Sequence, residues 1–253
     1  MFLSHLIVDV GDNPDRPRPG RLWLRNVYRV HQRLCMAFPS SGRKEGDPTF
    51  QQPYVPEELG GAEVHMERTG SSGFLFRIDP IAGGNPVILI QSANLPDWEY
   101  AFQNARYLLA APIAMPQRYD PRFSAGDRLR FRLKANPVRT ACKNSKHPSG
   151  APIDPKWVGK RIPVPSSSLK EWLARQGAKC GFQVQSLKSL LPGYVYFSKK
   201  GEDEDHGQRL RSVTYDGELC VGDPATFDHA VRSGIGRAKA FGFGLLSLAR
   251  ISP

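Results

Sequence analysis

The sequence predicts an α+β chain, two α+β units in tandem, and three observations carry that prediction. Strand-like runs and amphipathic helical stretches alternate along the 253 residues. The order strand, helix, strand, strand, helix fills residues 2–110, and a second cycle begins near Gly126. A hydrophobic share of 40% gives each half enough apolar surface for a core. The boundary falls at 122/123, giving domains over 1–122 and 123–253.

Residues 2–10 read as a strand dominated by Phe2, Leu3, Leu6, Ile7, Val8 and Val10. Residues 22–38 read as a helix. Trp23, Val27, Val30, Leu34 and Ala37 form its buried stripe, and Pro39 with the following Ser-Ser-Gly stops it. Residues 40–61 look like a surface loop. Strands follow near 62–68, 73–79 and 86–92, with Gly83-Gly84-Asn85 as the hairpin between the last two. A helix over 97–110 completes most of one ferredoxin-like unit. In the second cycle, residues 128–135 form a strand, and 160–165 return beside it after a polar, basic loop. A helix over 167–177 opens at Ser166-Ser167-Ser168. Strands at 181–198 and 209–221 flank the acidic tip Glu202-Asp203-Glu204-Asp205. Residues 224–233 form a helix with Asp223 as cap and Pro224 in its first turn, and an apolar strand closes the chain at 244–251. The repeat lies in the order of elements, not in sequence identity between the halves.

No apolar run reaches the roughly 18 to 20 residues that span a membrane. The opening MFLSHLIVDV lacks the basic leader and cleavage site of a signal peptide, so the chain reads as cytosolic. Cys35, Cys142, Cys180 and Cys220 form no C-x-x-C pair, which predicts buried free thiols and no zinc. The formal net charge is +11. Between Pro121 and Lys170 twelve Lys and Arg face two acids, Asp127 and Asp154, so this stretch carries a net +10. A localised basic stripe suits a polyanion, because each neutralised phosphate releases condensed counterions. These charges fall on loops and a strand-like alternation, which excludes a basic membrane-surface helix.

Three constellations can carry chemistry. In Arg128-Leu129-Arg130-Phe131-Arg132-Leu133-Lys134, alternation sends Leu129, Phe131 and Leu133 into a core and lines the four cations along the other face. That face is either solvated or set against RNA. Arg139, Lys143, Lys146, Lys160 and Arg161 extend the charge and favour RNA. In Tyr28-x-x-His31 the two side chains share a helix face, with His31 at the edge of the apolar stripe. A histidine there is either structural or a proton-transfer group. Imidazole, with an ordinary pKa of about 6.5, suits a base at an RNA 2′-hydroxyl or an acid at the 5′-oxygen. The third is the run Gly234 to Gly244, with Gly236 and Gly242 inside it and Arg237 and Lys239 among them. It is neither a Walker loop nor G-x-G-x-x-G. It allows close packing or close approach to a phosphate. The 202–205 acids read as a solvated tip; His147-Pro-Ser149 is the only H-x-S/T, where a two-histidine phosphodiesterase needs a second, and His5, His65, His206 and His229 have no evident partner.

The segments MFLSHLIVD, YRVHQRL at 28–34, LRFRLKANPVRT at 129–140, GKRIPVP at 159–165 and GIGRAKAFGFGLLSLA at 234–249 occur in this order. With them the chain resembles the CasE family, the repeat-processing endoribonucleases of type I-E CRISPR systems within the RAMP superfamily. The resemblance implies two ferredoxin-like, RRM-like domains. It implies metal-independent cleavage of precursor CRISPR RNA at the base of each repeat hairpin, leaving a 2′,3′-cyclic phosphate and a 5′-hydroxyl. No cofactor is implied. The partners implied are the repeat hairpin, as precursor and as mature crRNA, and the other Cascade subunits. His31 falls on the family's catalytic histidine and Tyr28 on its partner tyrosine. Arg128, Arg130, Arg132 and Lys134 fall on the basic strand, and Lys160 and Arg161 on the basic loop. Arg139, Arg237 and Lys239 join them as RNA-binding candidates. Gln32 stands where a relative carries arginine. The alternative is a non-catalytic RNA-binding subunit of the same superfamily.

Overall fold

The computed structural model describes all residues except 14, 17, 51–72, 146–150, 199–206 and 252–253. Two compact units emerge. One comprises Met1–Pro121, Val195–Arg209 and Lys239–Leu245; the other comprises Arg122–Tyr194, Leu210–Ala238 and Leu246–Pro253.

The first unit runs β1 (Phe2–Ile7), α1 (Pro19–Arg25), α2 (Val27–Cys35), α3 (Ser41–Gly46), β2 (Phe74–Asp79), β3 (Val87–Ser92), α4 (Trp98–Phe102) and β4 (Gln117–Arg118). Its sheet has the order β2-β3-β1-β4, with the pairs β1–β3, β1–β4 and β2–β3 antiparallel. This is the βαββαβ arrangement of a ferredoxin-like unit. Leu6, Val8, Val30, Leu34, Phe76, Ile88, Ile90 and Phe102 are all buried and form its core. Truncating one of these, as in Leu34→Ala, costs about 2–5 kcal/mol.

The helix expected over 22–38 is two helices. Asn26 adopts φ −114°, ψ 95° and interrupts the helical backbone. Its Oδ1 accepts the Tyr28 N–H at 3.1 Å, and its Nδ2 donates to the Ser198 carbonyl and hydroxyl at 3.0 and 2.9 Å. An asparagine that bonds its neighbouring backbone favours a cap over a helix interior, and here it starts α2. The loop expected from residue 40 contains α3, opened by Ser40 Oγ accepting from Arg43 N. The strand expected at 62–68 lies outside the described residues. The helix expected over 97–110 shortens to α4, capped by Asp97, plus a separate turn of 3₁₀ helix at Arg106–Leu108.

The second unit runs β5 (Arg128–Ala135), β6 (Val138–Thr140), β7 (Arg161–Pro163), α5 (Leu169–Lys179), β8 (Phe182–Phe197), β9 (Gln208–Val221), α6 (Pro224–Ser233) and β10 (Leu246–Arg250), with the end of β8 from Val195 and the start of β9 to Arg209 counted in the first. Its main sheet, β10-β5-β9-β8, repeats the strand order of the first, and the expected tandem ferredoxin-like fold holds. Phe131 pairs with Gly217 on β9, where a Cβ would stand 2.2 Å from the Ser186 carbonyl oxygen and 3.1 Å from the Phe131 ring. Only glycine fits that crossing. Two expectations change. Residues 160–165 do not return beside β5, whose two flanks are taken by β9 and β10; β7 instead pairs with β6 as a separate two-stranded ribbon. Pro163, which has no N–H, is tolerated in such a short ribbon. Ser166–Ser168 form a 3₁₀ turn before α5, and no side chain caps that helix. The acidic tip at 202–205 lies outside the described residues. The four cysteines are free, but only Cys35 is buried; Cys142 is exposed in the loop after β6, which corrects the expectation of uniform burial. Among the described residues no helix is long and apolar enough to cross a membrane.

Candidate functional site

Helix α2 carries Tyr28 and His31 one turn apart on one face. Both are half-buried. The His31 ring stacks on Phe74 and Phe76 of β2, with centroid distances of 5.3 and 6.2 Å. Its Nε2 lies 3.6 Å from Cys35 Sγ, one turn further along the helix, and its Nδ1 is buried. Tyr28 faces Phe241 at 6.3 Å. The pair therefore rests on an aromatic floor made by β2 and the segment 239–245. Sequence reasoning did not single out Cys35, although its i+4 spacing from His31 is the signal that finds it.

The cation next to Gln32 in sequence, Arg33, is engaged elsewhere. Its NH1 donates to the Ala101 carbonyl and to Asn104 Oδ1, each at 3.0 Å, and its guanidinium lies 5.3 Å from the Phe50 ring centroid. Burial pushes its pKa below the usual arginine value. Arg25 and Arg29 are exposed on the same helix pair.

Strand β5 alternates as its sequence requires: Arg128, Arg130 and Arg132 are exposed, Lys134 is half-buried, and Leu129, Phe131, Leu133 and Ala135 are buried. The four cations share one face, but they are not left to repel one another. Register sets Glu218 opposite Arg130 and Asp216 opposite Arg132. Arg132 Nε donates to Asp216 Oδ1 at 2.6 Å, and Asp216 Oδ2 accepts from Ser189 Oγ at 2.8 Å. Glu218 lies 3.6 Å from Arg128 and 3.7 Å from Lys188. Five cations thus meet two carboxylates, and the face stays net positive. The two acids escaped sequence reasoning, yet the alternation of Val213, Tyr215, Leu219 and Val221 inward already turns Asp216 and Glu218 outward.

The ribbon β6–β7 separates candidates grouped by sequence. Arg139 pairs with Ile162 and Thr140 with Arg161, so Arg139 and Arg161 project from opposite faces. Arg139 is half-buried and its NH1 donates to Ser145 Oγ at 3.4 Å, whereas Arg161 and Lys160 are exposed. Lys160 Nζ lies 5.5 Å from the ring centroid of Trp157. The glycine-rich segment is divided as well: Arg237 is exposed in the second unit, and Lys239 is half-buried in the first. Gly242, at φ +77°, would bring a Cβ within 3.2 Å of the Phe76 ring, so close packing explains that glycine. Among the described residues no three His, Cys, Asp or Glu side chains gather as a metal site.

Two ferredoxin-like units, a helix-borne tyrosine and histidine on an aromatic floor, and a cation-lined sheet face define the class: a tandem ferredoxin-like protein with a candidate polyanion surface. A family described as "CRISPR associated protein" matches residues 1–250, and the chain belongs to it. The chain is 30% identical over 259 residues to the CRISPR-associated endoribonuclease Cse3 of Thermus thermophilus, covering 98% of this chain and all of that protein. It is 26% identical to the Cascade subunit CasE of Escherichia coli, with 98% and 99% coverage. A solved Cse3 bound to a 19-nucleotide RNA superposes with a TM-score of 0.68 at 25% identity, covering 98% of this chain and 100% of that one.

Proposed function

We propose that this chain is a cytoplasmic, metal-independent endoribonuclease that cuts precursor CRISPR RNA at the base of the repeat hairpin. It leaves a 2′,3′-cyclic phosphate and a 5′-hydroxyl, and keeps the product as a Cascade subunit. The observation that carries the reading is the end-to-end likeness to an endoribonuclease, 98% of this chain against 100% of Cse3. The chemistry asks little of the protein beyond position and a proton. The 2′-oxygen attacks the adjacent phosphorus while the bond to the 5′-oxygen breaks. One proton leaves the 2′-hydroxyl and one reaches the departing 5′-oxygen. His31 is the group for such transfer, with Tyr28 as its partner. Aromatic stacking against Phe74 supports a fixed place for the imidazole on α2. Arg128, Arg130, Arg132, Lys134, Arg139, Lys160, Arg161, Arg237 and Lys239 hold the RNA. The catalytic helix belongs to a domain over 1–122, and the basic strand to one over 123–253.

The test is single-turnover cleavage of the cognate repeat RNA in EDTA. Wild type is expected to cut. His31→Ala is expected to lose about 10²- to 10⁴-fold in rate while binding the hairpin as before. Cleavage by His31→Ala at the wild-type rate would remove His31 from the mechanism. A wild type that binds the hairpin and never cuts it, with or without metal, would favour the non-catalytic subunit instead.

A further inference from the structure

Trp157 is displayed rather than buried. The residue is 44% exposed, whereas Trp98 and Trp172 are 2% and 5% exposed. The turn that carries it is firmly built. Asp154 Oδ1 accepts from Lys156 N at 3.0 Å, and Trp157 N and Lys160 N each close a 2.9 Å backbone bond, to Asp154 O and Trp157 O. Gly159 N donates to Ala141 O and Ala141 N to Lys160 O, which tie the turn to the end of β6. The indole is therefore held out by ordered backbone. Lys160 Nζ lies over the ring at 5.5 Å from its centroid, and Arg161, the next residue, is exposed, while Lys156 pairs with Asp154 at 2.8 Å within the turn.

An exposed aromatic set among cations fits a nucleic acid better than a protein. The centre of a protein interface is depleted of charge, whereas RNA offers phosphates to the cations and a π-face to the ring. A paired stem hides its base faces within the stack, and its deep major groove admits few side chains. The accessible face belongs to a base outside the duplex. We infer that Trp157 is a stacking platform for an unpaired RNA base flanking or looping out of the hairpin. Lys160 and Arg161 hold the phosphates next to that base. This inference rests on the RNA-binding reading above and adds to it a residue that recognises single-stranded RNA.

The experiment measures affinity for two RNAs, the repeat hairpin with its unpaired nucleotides and the same stem as a blunt two-strand duplex. Trp157→Ala should weaken hairpin binding about 5- to 10-fold, the lower part of the range for base–aromatic stacking, and Trp157→Phe should stay within about twofold of wild type. The salt dependence should not change, since no phosphate contact is removed. Neither variant should alter duplex affinity, and both should melt as wild type does. Unchanged hairpin affinity in Trp157→Ala, or an equal loss on hairpin and duplex, would overturn the inference and leave RNA binding standing. A wild type that binds neither RNA would overturn the RNA-binding reading and this inference with it.

Discussion

Neutralising Asp216 probes the β5 face with the opposite sign to removing an arginine. Asp216→Asn keeps the size of the side chain and an acceptor for the Ser189 hydroxyl, but withdraws the carboxylate that binds Arg132 Nε at 2.6 Å. On a face that holds phosphates, that carboxylate repels the ligand. Two like unit charges about 7 Å apart in a water-like medium repel by about 0.6 kcal/mol, a factor of about 3 in affinity. Asp216→Asn should therefore tighten RNA binding about threefold, whereas Arg132→Ala should weaken it and lower the salt slope by about one. At a slope of about 0.9 per phosphate, raising salt from about 50 to about 200 mM weakens wild type about 3.5-fold more than it weakens Arg132→Ala. Fluorescence anisotropy of labelled repeat hairpin at four salt concentrations reads both quantities. Wild-type affinity and slope in both variants would refute the reasoning and turn this face toward solvent or protein. Weaker binding by Asp216→Asn would mean that the ion pair positions Arg132 rather than competing with the ligand.

Cleavage should survive chelation: activity lost in EDTA and restored by Mg²⁺, with the hairpin still folded, would contradict the metal-independent mechanism. Partial burial pushes the Asp97 carboxyl up, but the hydrogen bonds from Lys44 and the Tyr100 N–H outweigh it and hold the group below the usual carboxylate range. Its stabilisation is complete above the unfolded pKa of about 3.9 and is lost as pH falls through the lower folded value. Asp97→Ala should accordingly cost about 1–2 kcal/mol at neutral pH, with the gap from wild type closing in melts below about pH 4. Gly242→Ala, forced to φ +77° against the Phe76 ring, should cost at least about 1–2 kcal/mol. It should also slow cleavage more than it weakens RNA binding; the reverse order would detach Phe76 from the support of His31.

Strand alternation made the second unit legible. The period of two in 128–135 is unambiguous, and β5 spans those residues with the expected inward set. The Asp-Pro start of α6 was equally plain, because cap and first-turn residue are adjacent in sequence. What escaped sequence reasoning depends on partners distant along the chain. Asn26 looks like a neutral position within a helical stripe until Ser198, 172 residues away, accepts from its amide and the helix breaks. Residues 160–165 look like another sheet strand until β9 and β10 occupy both flanks of β5. Tyr28 and His31 were visible as a shared helix face, but not the aromatic floor beneath them, since Phe74, Phe76 and Phe241 come from two remote segments. Asp216 and Glu218 went unread in the sequence, although the alternation around them turns both outward, and only the register shows that they oppose the arginines.

The glycine-rich segment joins these points. Glycine density signals close backbone approach without saying to what, and the sequence left phosphate and protein as equal candidates. The structure sets Gly236 against Trp172 in the second unit and Gly242 against Phe76 in the first. Phe76 stacks on His31, and Phe241, the neighbour of Gly242, meets Tyr28. Gly242 is thus one packing step from both members of the candidate catalytic pair. Its φ of +77° is what allows that approach. Any RNA contact made here falls to Arg237 and Lys239, while Gly242 shapes the floor on which the imidazole and phenol rest. Substitutions in this segment should then separate: loss of Arg237 should act on affinity, and loss of Gly242 on the chemical step.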